Sequence, residues 1–304
     1  MVCTALIAGI AVAGEFQQGL EAFNSEDYEQ AMVSWLPLAR AGDINAMYNV
    51  GLLYDEGLGV PVDKEAALNW YLVPAEEGDV SAQFNVAMIY DFGDGVPEDN
   101  DKALHWYTQA ARQADEQAQF NLAVMYATGE GVRVDMDEAI KWYKFSADLG
   151  HVPAQYNLAY IYDTGTAVPE DNQLAMQWYL KAAEQGDDDA QYAIALMYDE
   201  GDGFASDDLA AIKWYTLAAE QGNLRAQFNL AIMYDVGEGV PEDDAAAIRW
   251  YTAAADAGHA DAQLNLGVMN ENGEGTAADA SRAMHWYRRA ADEGAREAQY
   301  AVAL

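Results

Sequence analysis

Apolar residues recur along this chain at the spacing of an α-helix, and the whole pattern returns every 36 residues. In residues 82–90, four apolar side chains fall at i, i+4, i+7 and i+8, which places them on one face of a helix. After a break at Gly93, a second stripe follows in residues 103–111, with alanines around the pair Trp106 and Tyr107. A period of this length indicates a repeat architecture, so we expect two helices per unit and no β-strand.

The tryptophans mark this period most clearly. All eight are spaced by 36 residues except for a first gap of 35, and from the second onward each is followed by tyrosine. A single helix pair cannot bury both of its faces, so neighbouring pairs must stack to complete a core. We therefore predict that the tryptophans in regular register are structural and pack between helices: Trp70, Trp106, Trp142, Trp178, Trp214, Trp250 and Trp286.

Local signals predict where each helix begins and ends. Gly93 can take the left-handed conformation that ends a first helix, and the carboxylate of Asp99 is placed to accept the free amide hydrogens of the next one. The prediction is a pair of helices at about 46–56 and 63–77, with an equivalent pair every 36 residues. Because proline lacks an amide hydrogen, Pro74 predicts a kink or an early end in the second helix.

The repeated unit resembles the Sel-one-like repeat family, a relative of the tetratricopeptide repeats. Residues 118–150 carry nearly the whole motif of that family: Ala118, Leu122, Ala123, Tyr126, Gly129, Gly131, Val132, Asp135, Ala139, Trp142, Tyr143, Ala147 and Gly150. The resemblance implies an all-α fold, a right-handed α/α superhelical solenoid of 36-residue helix-turn-helix repeats. It also implies a scaffold that binds other proteins, often exported in bacteria, and it brings no catalytic residues.

The pattern divides the chain into segments. Residues 46–297 hold seven repeats, residues 15–45 look like a degenerate leading repeat, and residues 298–304 supply only a first helix. Such a half repeat exposes apolar side chains. We therefore expect the natural chain to continue, or this end to be covered by a partner or by another copy.

Residues 1–13 are predicted to be a signal peptide. They are apolar or small, carry no charge, and end in Ala11, Val12 and Ala13, which have the small-x-small form of a cleavage site. Cleavage before Gly14 would make the protein periplasmic or secreted. The alternative is an apolar first helix packed on the following repeat, in a cytoplasmic protein.

Acidic residues dominate the composition. There are 51 Asp and Glu residues against 15 Lys and Arg, a net charge of −36. Nucleic acid is therefore not expected as a partner, because phosphate binding needs clustered cations. The charge favours a partner with a basic surface, and the alternative is a general adaptation to salt. A single cysteine, Cys3, excludes a disulfide framework.

Candidate chemistry is sparse, so we expect no enzyme, no metal and no cofactor. The four histidines lie in different repeats, which argues against shared metal ligation and favours surface positions. The Gly-x-Gly turns precede a helix with an Asp cap instead of following a strand, which argues against a phosphate site. No membrane span is expected, because no apolar run is long enough.

Two polar rows are the best candidates for a binding surface. A carboxylate follows the tyrosine at the end of the first helix at Asp55, Asp91, Asp163, Asp199 and Asp235, with Ala127 as the exception. An asparagine recurs on the same helix, at Asn85, Asn121 and Asn157 among others, and Ala193 interrupts this row. By likeness to the tetratricopeptide unit, this side of the helices faces a concave groove.

These rows lead to a prediction of function. We predict a non-catalytic exported scaffold whose acidic concave groove binds a basic extended segment, with the asparagines holding its backbone. For the asparagines the alternative is hydrogen bonding between adjacent helices. For the protein the alternative is a structural subunit that stacks end to end into a filament or larger assembly through its uncapped end.

Overall fold

A computed structural model describes residues 14–203 and 205–303 of the chain. The predicted signal peptide of residues 1–13 and the terminal Leu304 lie outside the described residues. Every regular element within them is a helix, and they contain no strand. The all-α prediction is therefore confirmed.

The chain forms two compact units, Met1–Ala154 and Gln155–Leu304. In the first unit, residues 14–24 are helical and are called α1. They are followed by α2 (Tyr28–Arg40), α3 (Ile44–Glu56), α4 (Lys64–Glu76), α5 (Val80–Phe92), α6 (Asn100–Arg112), α7 (Glu116–Thr128) and α8 (Met136–Asp148).

The division between the units falls in the first turn of α9 (Val152–Thr164). The second unit continues with α10 (Asn172–Glu184), α11 (Asp188–Glu200), α12 (Asp208–Glu220), α13 (Leu224–Val236), α14 (Asp244–Asp256), α15 (Ala260–Asn272), α16 (Ala280–Asp292) and α17 (Arg296–Ala303).

Within each unit the helices pack as consecutive pairs. In the first unit α3 lies on α4, α5 on α6 and α7 on α8, and successive pairs meet through α4–α5 and α6–α7. In the second unit α11 lies on α12, α13 on α14 and α15 on α16, and α12–α13 and α14–α15 join the pairs. This is the helix-turn-helix stacking of an α/α solenoid. The right-handed twist stays a prediction.

The local start and stop signals act as predicted. The Asp99 carboxylate begins α6 by accepting a hydrogen bond from the Lys102 amide at 3.1 Å, and Gly93 ends α5 with a φ of 63°. The helices expected at about 46–56 and 63–77 are α3 and α4, with bounds within two residues of the prediction. The early end expected at Pro74 is wrong, because α4 runs on to Glu76. Pro74 leaves one intrahelical hydrogen bond unmade, to the Trp70 carbonyl, without ending the helix.

A residue with a left-handed backbone conformation also stands just after the C-terminal end of the second helix in each repeat. Gly186 takes this position after α10 with a φ of 95°, and Ala114 takes it after α6 with a φ of 65°. Only glycine enters this region without a steric penalty from Cβ. Ala114 is therefore held in a strained backbone conformation.

The tyrosine of each Trp-Tyr pair, more than the tryptophan, fills the core. Tyr107 and Tyr215 are fully buried, while Trp106, Trp142 and Trp214 are half-buried and pack against the edge of the core clusters. Some of these indole faces also carry a cation: the Lys181 ammonium lies 3.6 Å from the centre of the Trp178 ring. Most of the tryptophans in regular register lie at the edge of the core and cover it instead of filling it.

The C-terminal helix α17 presents Tyr300 with 74% of its surface exposed. Self-association through this end stays a prediction. No helix in the described part of the chain combines the length and the apolar composition needed to cross a bilayer.

Candidate functional site

The predicted aspartates lie in the last turns of the first helices α3, α5, α9, α11 and α13, and all are half-buried. Each accepts a hydrogen bond from the tyrosine hydroxyl of the second helix in its own repeat, at 3.0–3.2 Å. The pairs are Asp55–Tyr71, Asp91–Tyr107, Asp163–Tyr179, Asp199–Tyr215 and Asp235–Tyr251. These carboxylates are therefore fixed by the fold and are not ordinary solvated helix ends.

Burial changes the ionisation of this row. It raises the pKa of Asp91, Asp163 and Asp235, and the hydrogen bond from tyrosine works in the opposite direction because it stabilises the charged form. At Asp163, the nearby Asp202 raises the pKa further. Burial also raises the pKa of the tyrosines well above the ordinary value, so they remain protonated donors. Burial therefore makes the charged forms of these three carboxylates less favourable than they would be in water.

The asparagine row connects neighbouring repeats. The Asn229 side-chain amide donates to the Tyr215 hydroxyl of the preceding repeat at 3.0 Å. Asn85 and Asn121 stand at the same repeat position, and the Asn121 side-chain amide donates to Met88 Sδ of the preceding repeat at 3.8 Å. This is the interhelix role that the sequence left open for the row.

Two members of the row need separate mention. Asn157 is half-buried in the middle of α9. At the next position Ala193 replaces the asparagine, and within the described residues Tyr179 bonds only to Asp163 through its hydroxyl.

One carboxylate of the row already holds a cation. The Lys64 ammonium lies 2.7 Å from Asp55 Oδ1 and 3.5 Å from Asp94 Oδ2, so it bridges two aspartates of consecutive repeats. In later repeats no Lys or Arg stands at this position, which is taken by Asn100, Met136, Asn172, Asp208, Asp244 and Ala280. The later carboxylates therefore lack this internal counterion.

A cleft lies between consecutive first helices in each unit. In the first unit a cleft of about 280 Å³ is lined by Asp55, Glu56, Lys64, Phe84, Asn85, Met88, Ile89, Phe92 and Asp94. In the second unit a cleft of about 300 Å³, here called the tyrosine cleft, is lined by Tyr156, Tyr160, Asp163, Tyr179, Tyr192, Ala193, Leu196, Met197, Glu200, Asp202 and Arg225. Residues of the two clefts match at a constant offset of 108 positions, for example Asp55 with Asp163 and Asp94 with Asp202, so the clefts are equivalent sites of different repeats.

Two histidines expected on the surface are half-buried instead. His259 begins α15: its Nδ1 accepts from the Ala262 amide at 3.4 Å, and its ring stacks on Phe228 with 4.2 Å between centres. His151 stands at the same repeat position, which is aspartate at Asp43, Asp79, Asp115 and Asp187, and burial lowers the pKa of both imidazoles. Because aspartate recurs at this helix-capping position in other repeats, the sequence contained a signal that these histidines cap helices. Across the described residues, no group of three or more His, Cys, Asp or Glu side chains is arranged to hold a metal ion.

The family follows from the repeats. The family model described as Sel1 repeat matches seven consecutive segments, residues 44–79, 80–115, 116–151, 152–187, 188–223, 224–259 and 260–294. The chain belongs to the Sel1 repeat family. Sel1 repeats are generally scaffolds for protein interaction.

Two solved structures resemble this Sel1 repeat protein over nearly its whole length. One is c5321, a protective antigen of uropathogenic Escherichia coli, with 35% identity and a TM-score of 0.86 over 96% of this chain. This chain spans only 63% of that protein. The other is a Sel1 repeat protein from Oxalobacter formigenes, with 30% identity and a TM-score of 0.77, covering 95% of this chain and 85% of the other. No curated protein matches the sequence.

Proposed function

We propose that this Sel1 repeat protein is a non-catalytic scaffold that binds a basic, extended segment of another protein along its first helices. The observation that carries the proposal is the row of tyrosine-held carboxylates. In the second unit this row consists of Asp163, Asp199 and Asp235, and among the described residues no lysine or arginine forms an ion pair with any of the three.

The tyrosine hydrogen bonds support a binding role in a specific way. A carboxylate has more acceptor capacity than one hydroxyl uses, so each aspartate keeps an oxygen for a partner. Because Tyr179, Tyr215 and Tyr251 fix the carboxylates, little side-chain entropy is lost when a cation binds. A net charge of −36 adds long-range attraction, which raises the association rate more than the final affinity.

Export is part of the proposal. The apolar run before Gly14 supports a cleaved signal peptide, and the protective-antigen description of the E. coli relative fits a protein that is reached from outside the cytoplasm. The measurement is the intact mass of protein from the native host. A mature chain that begins at Gly14 supports export, and retention of residues 1–13 contradicts it.

The binding proposal is tested by the triple variant Asp163→Asn, Asp199→Asn and Asp235→Asn. Asparagine keeps an oxygen that accepts the tyrosine hydroxyl, so the charge is lost while the packing stays. The matched control is Glu184→Gln, Glu220→Gln and Asp292→Asn, which removes three exposed carboxylates from the last turns of second helices in the same unit.

The assay measures association with a synthetic peptide that carries lysine at every third residue, at several salt concentrations. We expect the triple variant to lower the on-rate by about tenfold at low salt and to flatten its salt dependence. The control should change the on-rate by less than about threefold, in line with a general loss of charge. Equal losses in both variants would indicate that the acidity is a general solvent adaptation, and absence of binding to the wild type would overturn the proposal.

A further inference from the structure

Two departures from the repeat pattern, at Tyr160 and Ala193, meet around the tyrosine cleft. Tyr160 is half-exposed at a position where the other repeats carry Leu52, Met88, Val124, Leu196, Ile232 and Val268. Ala193 replaces the recurring asparagine, and Asn172 replaces the lysine of the first repeat. Asn172 donates a hydrogen bond to Asp202 in the wall of the cleft at 2.6 Å. Two positions that most other repeats keep aliphatic or as asparagine are thus altered at one cavity, which indicates a specialised site.

The walls of this cleft have the chemistry of a cation site. The rings of Tyr156, Tyr160 and Tyr192 line it together with carboxylates that include Asp163 and Asp202. Aromatic faces attract ammonium groups, and carboxylates accept their hydrogen bonds. Because Ala193 has no amide group to fill the space, the cleft also reaches the buried Tyr179–Asp163 pair.

The equivalent cleft of the first unit shows what such a pair of aspartates binds. There the Lys64 ammonium lies between Asp55 and Asp94, the counterparts of Asp163 and Asp202. In the second unit the residue at the lysine position is Asn172, which donates hydrogen bonds but carries no charge. The same carboxylate arrangement therefore occurs once with its own ammonium group and once without it.

Arg225 is the one cation that lines the tyrosine cleft within the described residues. Its guanidinium carbon lies 5.5 Å from the centre of the Tyr192 ring, and among the described residues it forms no ion pair with a carboxylate. It shows that a ring of this cleft accepts a cation. It leaves Asp163 and Asp202 without a counterion.

We propose that the tyrosine cleft binds the ammonium group of a lysine side chain, placed as the Lys64 ammonium is placed in the first unit. The inference rests on the proposed function, since the lysine belongs to the basic segment of the partner. It adds the position of one specific contact, between Asp163 and Asp202 and against the ring of Tyr160.

The test uses Nα-acetyl-lysine N-methylamide as the probe and the norleucine analogue as its uncharged match. Binding is followed by chemical-shift changes in protein whose tyrosine rings are isotopically labelled. Three variants leave the fold intact because each residue already stands at the same position of another repeat: Asn172→Lys, Tyr160→Leu and Ala193→Asn.

We expect the lysine probe to shift the ring signals of the cleft tyrosines and the norleucine probe to leave them unchanged. Asn172→Lys should weaken lysine binding by at least about tenfold, because the new ammonium takes the site. Tyr160→Leu should weaken it by about threefold through the lost ring face, and Ala193→Asn should weaken it by filling the cleft. Arg225→Gln should strengthen it, since a repelling charge is removed.

Two results would overturn the inference: equal binding of the lysine and norleucine probes, or unchanged lysine binding in Asn172→Lys. The lysine-rich peptide separates this failure from failure of the proposed function. If the peptide binds wild type and Asn172→Lys equally, the scaffold proposal stands and the cleft assignment fails. If the lysine probe binds in the cleft while the peptide does not bind at all, the cleft assignment stands and the scaffold proposal fails.

Discussion

Removing the Tyr215 hydroxyl should cost more stability than removing the Tyr179 hydroxyl, although both rings are buried in equivalent places. The Tyr215 hydroxyl donates to Asp199 at 3.0 Å and accepts from Asn229 at 3.0 Å. The Tyr179 hydroxyl donates to Asp163 at 3.1 Å, and Ala193 stands where an asparagine would reach it. Phenylalanine keeps the ring and its packing, so the comparison isolates one hydrogen bond.

The expected losses of unfolding free energy depend on whether the hydrogen-bond partner of the tyrosine hydroxyl is charged. A hydrogen bond to a charged group contributes about 1.5–3 kcal/mol and a neutral one about 0.5–1.5 kcal/mol. The carboxylates are half-buried and water replaces part of the lost bond, which favours the low end of the range for the charged partner. We expect Tyr179→Phe to lower the local free energy of unfolding by about 1.5 kcal/mol and Tyr215→Phe by about 2.5 kcal/mol.

The assay is native-state hydrogen exchange, because repeat arrays open locally and a single melting curve averages over their parts. Exchange is compared between α9–α10 and α11–α12 in each variant. A double-mutant cycle with Ala193→Asn adds the missing bond: the asparagine should couple to Tyr179 by about 1 kcal/mol, and its unfavourable helix propensity cancels in the cycle. Equal losses for the two Phe variants, or a coupling near zero, would refute the assigned network.

Three further predictions concern backbone strain, pH and the core. Ala114→Gly should stabilise the protein by about 0.5–1 kcal/mol and Gly186→Ala should destabilise it by about 1 kcal/mol in denaturant titrations, because both residues have a positive φ. Lowering the pH from 7 to about 4.5 should raise the melting temperature, and Asp163→Asn should reduce this rise. Tyr143→Ala should cost about 3–5 kcal/mol and Trp142→Ala about 1–2 kcal/mol in the same titrations, since Tyr143 is 5% exposed and Trp142 is half-buried.

The sign of the pH effect comes from the folded-state pKa values. Burial raises the pKa of Asp91, Asp163, Asp187 and Asp235. Folding therefore favours their protonated forms: the added stability is complete below the unfolded pKa of about 3.9 and is lost as the pH rises through the folded pKa. A melting temperature that falls steadily from pH 7 to 4.5 would contradict this. A loss of stability in Ala114→Gly, or equal losses for Tyr143 and Trp142, would contradict the other two predictions.

Much of the fold could be predicted because its signals are local. The glycine stops and aspartate caps lie within one turn of the helix ends they determine, so α3 and α4 were placed within two residues. Local sequence signals could not predict whether the tryptophan or the tyrosine of each pair is the more buried. Neighbouring residues such as Trp142 and Tyr143 both fall within one broad apolar stripe, and only the close packing of the helices decides which of them points to the core.

The site was less predictable because its contacts are distant in sequence. The aspartate row was visible, but each hydrogen bond to tyrosine joins residues 16 positions apart on two different helices. The tyrosine cleft needs even more of the fold, since Tyr160, Ala193 and Arg225 come from three first helices. The altered residues Tyr160 and Ala193 could be seen in the sequence. Their meeting at one cavity could not.

The tyrosine-held carboxylates also define a regular spacing of negative charges along the second unit. Stacked helices lie roughly 8–10 Å apart, and an extended chain advances about 3.3 Å per residue, so one repeat corresponds to about three residues of a bound strand. The tyrosine hydrogen bonds hold Asp163, Asp199 and Asp235 in place, so in the proposed complex a bound strand would have to carry its cations at the matching spacing. A segment with lysine at every third residue fits this spacing. A segment with the same number of lysines at every second residue does not. The sequence of charges, and not only their number, would then select the partner.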